Sequence, residues 1–114
     1  MKTLPIRFYA TTTGSEPVRE FLMDLASDDR RTVGIQIARV EYGWPIGMPV
    51  CRHIRDGVYE VRVNISSGRI VRVLFTPFDG EAILLHAFVK KTQKTPAKDI
   101  DLAIQRKKSL GTEV

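Results

Sequence analysis

Apolar residues recur along this chain with two different periods. Between residues 15 and 43 the spacing is helical. Val18, Phe21, Leu22 and Leu25 fall at i, i+3, i+4 and i+7, which is one face of a helix. Ser15 is positioned to cap that helix, with Glu16 and Pro17 in its first turn. Ser27-Asp28-Asp29 opens a second helix whose buried stripe is Val33, Ile37 and Val40, widened by Ile35 and Ala38. Gly43 stands where a helix stop belongs. The two helices follow one another closely enough to predict an antiparallel helical hairpin.

Elsewhere the period is two. Leu4 to Ala10 reads as a strand, with Pro5 marking an edge or a start. Thr11 to Gly14 is a turn. Val58 to Asn64 alternates, with Tyr59, Val61 and Val63 on one face and Glu60 and Arg62 on the other. Arg69 to Thr76 does the same, setting Val71, Val73 and Phe75 against Ile70, Arg72 and Leu74. Glu81 to Val89 is apolar on both faces, as a central strand would be, and Pro77-Phe78-Asp79-Gly80 turns into it. Trp44 to His53 reads as a loop, with Trp44 and Met48 anchoring it on the core. After a basic connector, Lys90 to Thr95, Pro96 starts a last helix with Ile100, Ala103, Ile104 and Lys107 on one face. The order is β-α-α-β-β-β-α, an α+β fold with an antiparallel meander packed against helices. Residues 1–110 form one domain and 111–114 a tail.

Composition narrows the class. A chain of 114 residues, 43% hydrophobic and 27% charged, is one ordinary domain. Its single cysteine, Cys51, excludes an internal disulfide and a Cys-rich zinc site, and reads as inert before it reads as a nucleophile. No apolar run approaches the roughly 20 residues of a membrane span, and the N-terminus lacks a signal peptide's apolar core, so a cytoplasmic protein with no membrane contact is expected.

Charge sharpens the picture. Residues 1–50 hold six Lys/Arg and six Asp/Glu, whereas residues 51–114 hold twelve and seven, so the whole net charge of +5 lies in the second part. Two readings stand: a surface for a polyanion, or a solubilising exterior. The hairpin register decides where to look. Pairing Val61 with Val73 also pairs Tyr59 with Phe75 and Val63 with Val71, and sets Arg62 opposite Arg72. Like charges facing across a sheet are destabilising unless water or an anion separates them. Glu60 on the same face partly neutralises the pair. Lys90, Lys91 and Lys94 then crowd the connector, where flexible ammonium groups suit a phosphate backbone. His86, inside Leu84-Leu85-His86-Ala87-Phe88, is either a packed histidine or a proton shuttle, and its face is open because a bulge would reverse it. His53 is the weaker candidate of the two histidines. Clustered carboxylates, HExxH, a P-loop and GxGxxG are all missing. Phosphodiester chemistry here would proceed without a metal or other cofactor.

These residues carry a resemblance. Asp56-Gly57-Val58-Tyr59-Glu60-Val61-Arg62, then Arg69-Ile70-Val71-Arg72-Val73-Leu74-Phe75, then Leu84-Leu85-His86-Ala87-Phe88-Val89-Lys90-Lys91-Thr92-Gln93-Lys94-Thr95-Pro96 resemble successive blocks of HigB-type toxins. These belong to the phage-derived branch of the RelE/ParE type II toxin–antitoxin superfamily. The resemblance spans roughly residues 4 to 108. It implies a RelE-like fold and a metal-independent, ribosome-dependent mRNA endonuclease (an mRNA interferase). It also implies a cognate helix-turn-helix antitoxin as partner, beside mRNA and the ribosome. On this resemblance Arg62 and Arg72 hold the scissile phosphate, Lys90 and Lys91 bind or act as acids, and His86 shuttles protons. Lys94, Arg69 and Lys98 contact the flanking RNA. Val71 stands where the family has a tyrosine, and no tyrosine follows Tyr59, although the RelE branch carries one near its site. A ParE-like gyrase inhibitor on the same fold, or a non-catalytic phage-derived protein that binds RNA or an antitoxin, are the alternative functions.

Overall fold

The computed structural model describes residues 3–47, 50–90 and 94–111. Strand β1 (Ile6–Phe8) leads into helices α1 (Pro17–Asp24) and α2 (Ser27–Gly43). Four strands follow, β2 (Cys51–Arg55), β3 (Val58–Asn64), β4 (Ile70–Phe78) and β5 (Glu81–Lys90), and helix α3 (Ala97–Ser109) ends the fold. They form one five-stranded sheet ordered β1-β5-β4-β3-β2. β1 runs parallel to β5 and every other pair is antiparallel. No helix among the described residues is long and apolar enough to cross a membrane.

The α+β class and the meander are as the alternation predicts, with one strand more than expected. The segment taken as a loop up to His53 includes the start of β2, which pairs with β3 through a two-residue turn at Asp56-Gly57. Both turn residues have positive φ, 53° and 77°, the backbone that a tight two-residue hairpin turn requires and that Asp-Gly tolerates. Asp79-Gly80 repeats the device between β4 and β5, with φ of 52° and 78°. The hairpin register agrees with the core-residue pairing, including Arg62 opposite Arg72.

The sheet is covered on both faces. On one, Val18 of α1 and Val33, Ile37 and Val40 of α2 pack against Val61, Val63, Val71, Val73 and Phe75. Trp44 anchors its segment there, edge-on to Tyr59 and Phe75 at ring-centroid distances of 4.9 and 5.7 Å. Each fully buried side chain of this kind contributes about 1.5–3 kcal/mol. On the other face, Ala103 and Ile104 of α3 cover Val58, Leu74, Ile83 and Leu85. Helices α1 and α2 make their main backbone contacts with the sheet, α1 on β1 and β5 and α2 on β3.

Local expectations needed three changes. Ile35 does not widen the buried stripe of α2, because it is 55% exposed. Ser15 does not cap α1. Pro17 opens the helix after Glu16, and the Glu20 carboxylate accepts from the Glu16 N–H (3.1 Å) and the Ser15 hydroxyl (2.8 Å). Gly43 is the last residue of α2 and the extended Trp44 ends it. Met48 lies outside the described residues.

Candidate nucleic-acid interface

Strand alternation builds the site. The residues of β2 to β5 that point toward α3 fall into successive rungs. One rung reads Arg52, Glu60, Leu74, His86; the next reads Arg62, Arg72, Phe88; a third reads Asn64, Ile70, Lys90. At the equivalent positions of β3, β4 and β5 the opposite face carries apolar residues. A register shift between Leu74 and Phe75 leaves Leu85 as an extra residue in β5. That bulge settles which way His86 points: to the α3 side, with the arginines.

Glu60 is the hub. It is 1% exposed, and a buried carboxylate requires partners. Its Oε1 accepts from Arg62 Nε (3.1 Å) and Arg52 Nη2 (3.3 Å), and its Oε2 accepts a short hydrogen bond from the Thr95 hydroxyl. Arg72 is wholly enclosed, at 0% exposure, and its Nη1 donates to the Lys94 carbonyl at 2.8 Å. Burial, then the like charge of Arg62, push the Arg72 guanidinium below its ordinary pKa, while Glu60 acts in the opposite sense. The buried carboxylate and the connector carbonyl thus make tolerable the cross-strand arginine pair that looks unfavourable in isolation.

Above this floor lies an open groove of about 500 Å³, lined by Arg52, His53, Ile54, Arg62, Lys94, Thr95 and Ile100. β2 and β3 supply one wall. Lys94, Thr95 and, from the first turn of α3, Ile100 supply the other. Thr95 and Lys94 are drawn onto the sheet by Glu60 and Arg72, so the buried charges position the segment that enters α3. The cations stand against an enclosed, low-dielectric base, where their field on a bound anion is stronger than in water. Among the described residues no three His, Cys, Asp or Glu side chains gather as a metal-ligand set.

The site residues expected from sequence divide as follows. Arg62 and Lys94 line the groove. Arg72 lies enclosed beneath it and is not placed for the direct phosphate contact expected of it. Lys90 shares the α3 face, at the end of β5. Lys91 lies outside the described residues. Lys98 is exposed in the first turn of α3 and is not part of the lining. His86 does not border the groove either. Its Nε2 is 2.7 Å from Asp99 Oδ1 of α3, and its ring stacks on Phe88. Arg69 is on the other side of the sheet. Its Nη2 reaches Asp29 of α2 (3.1 Å) and the Ser66 hydroxyl, because an odd-numbered position here shares the face of Val71 and Val73.

Four lining residues were not among the site residues expected from sequence: Arg52, Ile54, Thr95 and Ile100. Arg52 was legible in principle. Asp56-Gly57 is a hairpin signal, and a two-residue turn there sets Arg52 opposite Glu60. His53 borders the groove, but it pairs with Tyr59 and stands edge-on to that ring at 4.9 Å. Cys51 is buried, and its thiol is pushed up to about 11 by desolvation, which makes it the inert residue expected.

A search of curated proteins finds no match to the chain. A family model, that of the phage-derived Gp49-like proteins (DUF891), matches residues 20–108. That span runs from α1 through all four strands of the meander to the end of α3, and so contains the groove and its charged floor. The chain therefore belongs to the phage-derived Gp49-like family, a toxin-like family associated with toxin–antitoxin systems.

Proposed function

We infer that this protein is the toxin of a type II toxin–antitoxin pair, and that it cuts mRNA on the ribosome by metal-independent transesterification. The observation that carries the reading is the groove in which Arg52, Arg62 and Lys94 converge over buried Glu60 and Arg72. In such a reaction RNA supplies its own nucleophile. The ribose 2′ oxygen attacks the adjacent phosphorus, its proton passes to solvent, and the bond from phosphorus to the 5′ oxygen breaks. The products are a 2′,3′-cyclic phosphate and a 5′ hydroxyl. The protein's tasks are to align the strand and to stabilise the extra negative charge of the transition state, which fixed cations do well.

In this reading Arg62 and Arg52 hold the scissile phosphate, and Lys94 binds the neighbouring backbone. Arg72 contributes charge from below and keeps the connector in place. The departing 5′ oxygen takes its proton from Lys90 or Lys91 at the head of the connector. His86 docks α3 through Asp99. The partner that silences the toxin is a helix-turn-helix antitoxin, as in related toxin systems.

The test is cleavage of an mRNA programmed on purified ribosomes. The reading expects cuts in translated message and growth arrest on expression. Intact mRNA, in a reaction where a control toxin cuts it, would overturn the enzyme assignment. Gyrase-dependent DNA breaks alongside that intact mRNA would establish the gyrase-inhibitor alternative.

A further inference from the structure

The charge count of the groove specifies more than a phosphate. Among the described residues, three guanidiniums, of Arg52, Arg62 and Arg72, surround one carboxylate, Glu60. The cluster keeps two positive charges, and Lys94 adds another at the rim. Glu60 is enclosed and its Oε1 anchors both Arg52 and Arg62, so the guanidiniums that carry this excess are held at the floor over the enclosed Arg72. An internal phosphodiester brings a single negative charge. A terminal phosphomonoester carries about −1.5 to −2 near neutral pH. The groove volume of about 500 Å³ suits a single nucleotide, with Ile100 as an apolar wall.

We propose that the groove is a selective site for the dianionic phosphomonoester at the 3′ end of an RNA, which it holds more tightly than the phosphodiester of an uncut strand. The proposal rests on the groove being a phosphate site and does not depend on cleavage occurring. Where cleavage does occur, hydrolysis of a cyclic end yields this 3′-phosphate: water adds to phosphorus, and the bond from phosphorus to the 2′ oxygen breaks with transfer of a proton to that oxygen. The cut end is then retained, and release of product slows turnover.

The experiment is calorimetric titration of the full chain with adenosine 3′-monophosphate and with its methyl ester, at pH 7.5 and low salt. The monoester is expected to bind at least about tenfold tighter. At pH 5, where the second proton of the monoester is back on (its pKa is about 6), the two affinities should converge. The charged groups about the ligand are Arg52 from β2, Glu60 and Arg62 from β3, Arg72 beneath them from β4, and Lys94 at the rim; His53 borders the groove with its ring against Tyr59. Thr95 and Ile100 do not titrate, and Asp99 of α3 is occupied by His86. The two ligands meet the same protein groups, so the ratio isolates the phosphate's own charge. Arg62→Gln removes one charge from the cluster and should shrink the ratio. Arg55→Gln, whose side chain is engaged by Asp56 and Asp101, should leave it unchanged. Equal binding of both ligands at pH 7.5 would overturn the dianion preference while leaving a phosphate groove. Binding of neither, by protein that circular dichroism shows to be folded, would overturn the phosphate groove itself.

Discussion

The two faces of the sheet follow the same strand alternation and end in opposite chemistry. Toward α1 and α2 every rung of β3 and β4 is apolar: Tyr59 with Phe75, Val61 with Val73, Val63 with Val71. Toward α3 the same strands place Glu60, Arg62 and Arg72, and only Leu74 among the central positions is apolar. The first face needs nothing but volume. The second is held by a buried carboxylate among guanidiniums, and it exposes some of these charges in a groove. A stabilising face and a proposed binding face thus sit back to back on two strands, separated by the thickness of a β-sheet. A substitution on one should be separable in its effects from a substitution on the other.

Phe75→Ala attacks the apolar face and should lower stability by about 3–5 kcal/mol. Activity should fall only as far as the folded fraction does, a comparison that urea unfolding and an activity assay on the same samples would make. Glu60→Ala tests whether the charged floor is as structural as the core. Removing the carboxylate leaves enclosed guanidinium charge without its counterion, at a cost of about 3–5 kcal/mol. A midpoint in urea close to that of wild type would show that the floor is better hydrated than the structure indicates.

Arg62→Ala separates the faces most clearly. Arg62 is 33% exposed at its side chain, so its loss should cost no more than about 1 kcal/mol of stability. Cleavage should nonetheless drop by about 10²-fold.

A subtler effect belongs to the apolar face, where Asp29 ties the start of α2 to the loop after β3. Its carboxylate accepts from the Ser66 N–H (3.1 Å) and hydroxyl (2.8 Å), with Arg69 beside it. These hydrogen bonds and that charge hold its pKa below the ordinary carboxylate value. A depressed folded-state pKa contributes stability that is present above the unfolded-state value, about 3.9, and is lost as pH falls through the folded-state one. Asp29→Asn should therefore be less stable than wild type at pH 6, with the gap closing toward strong acid. The smallest effect concerns Cys51. With its thiol at about 11, only about a thousandth is thiolate at pH 8, and a disulfide reagent should label it only as fast as the fold opens.

Much of this division was legible in the sequence, and for a physical reason. Alternation is a local property, so Val61, Val73, Tyr59 and Phe75 announced both the strands and their register, and with it the Arg62–Arg72 pair. What alternation does not carry is what covers a face. Arg72 looked like an exposed phosphate ligand because nothing in its neighbourhood shows that Lys94, 22 residues on, folds over it. Arg69 was assigned to the flanking RNA, but it lies just before β4, on the face opposite Arg72, where Asp29 of α2 claims it. His86 was ambiguous until the extra residue at Leu85 fixed its side, and there Asp99 takes its Nε2. Arg52 was lost with β2, since Pro45 and Gly47 outweighed the short run Cys51 to Arg55, although Asp56-Gly57 marked the turn after it.

The most direct test compares one arginine from each face. Wild type, Arg62→Ala and Arg69→Ala would be assayed together on programmed ribosomes, with folded fraction measured for each. The account expects wild type to cut, Arg62→Ala to lose about 10²-fold, and Arg69→Ala to keep wild-type cleavage per folded molecule. Equal loss from both arginines, or undiminished cutting by Arg62→Ala, would contradict the assignment of RNA binding to the α3 face.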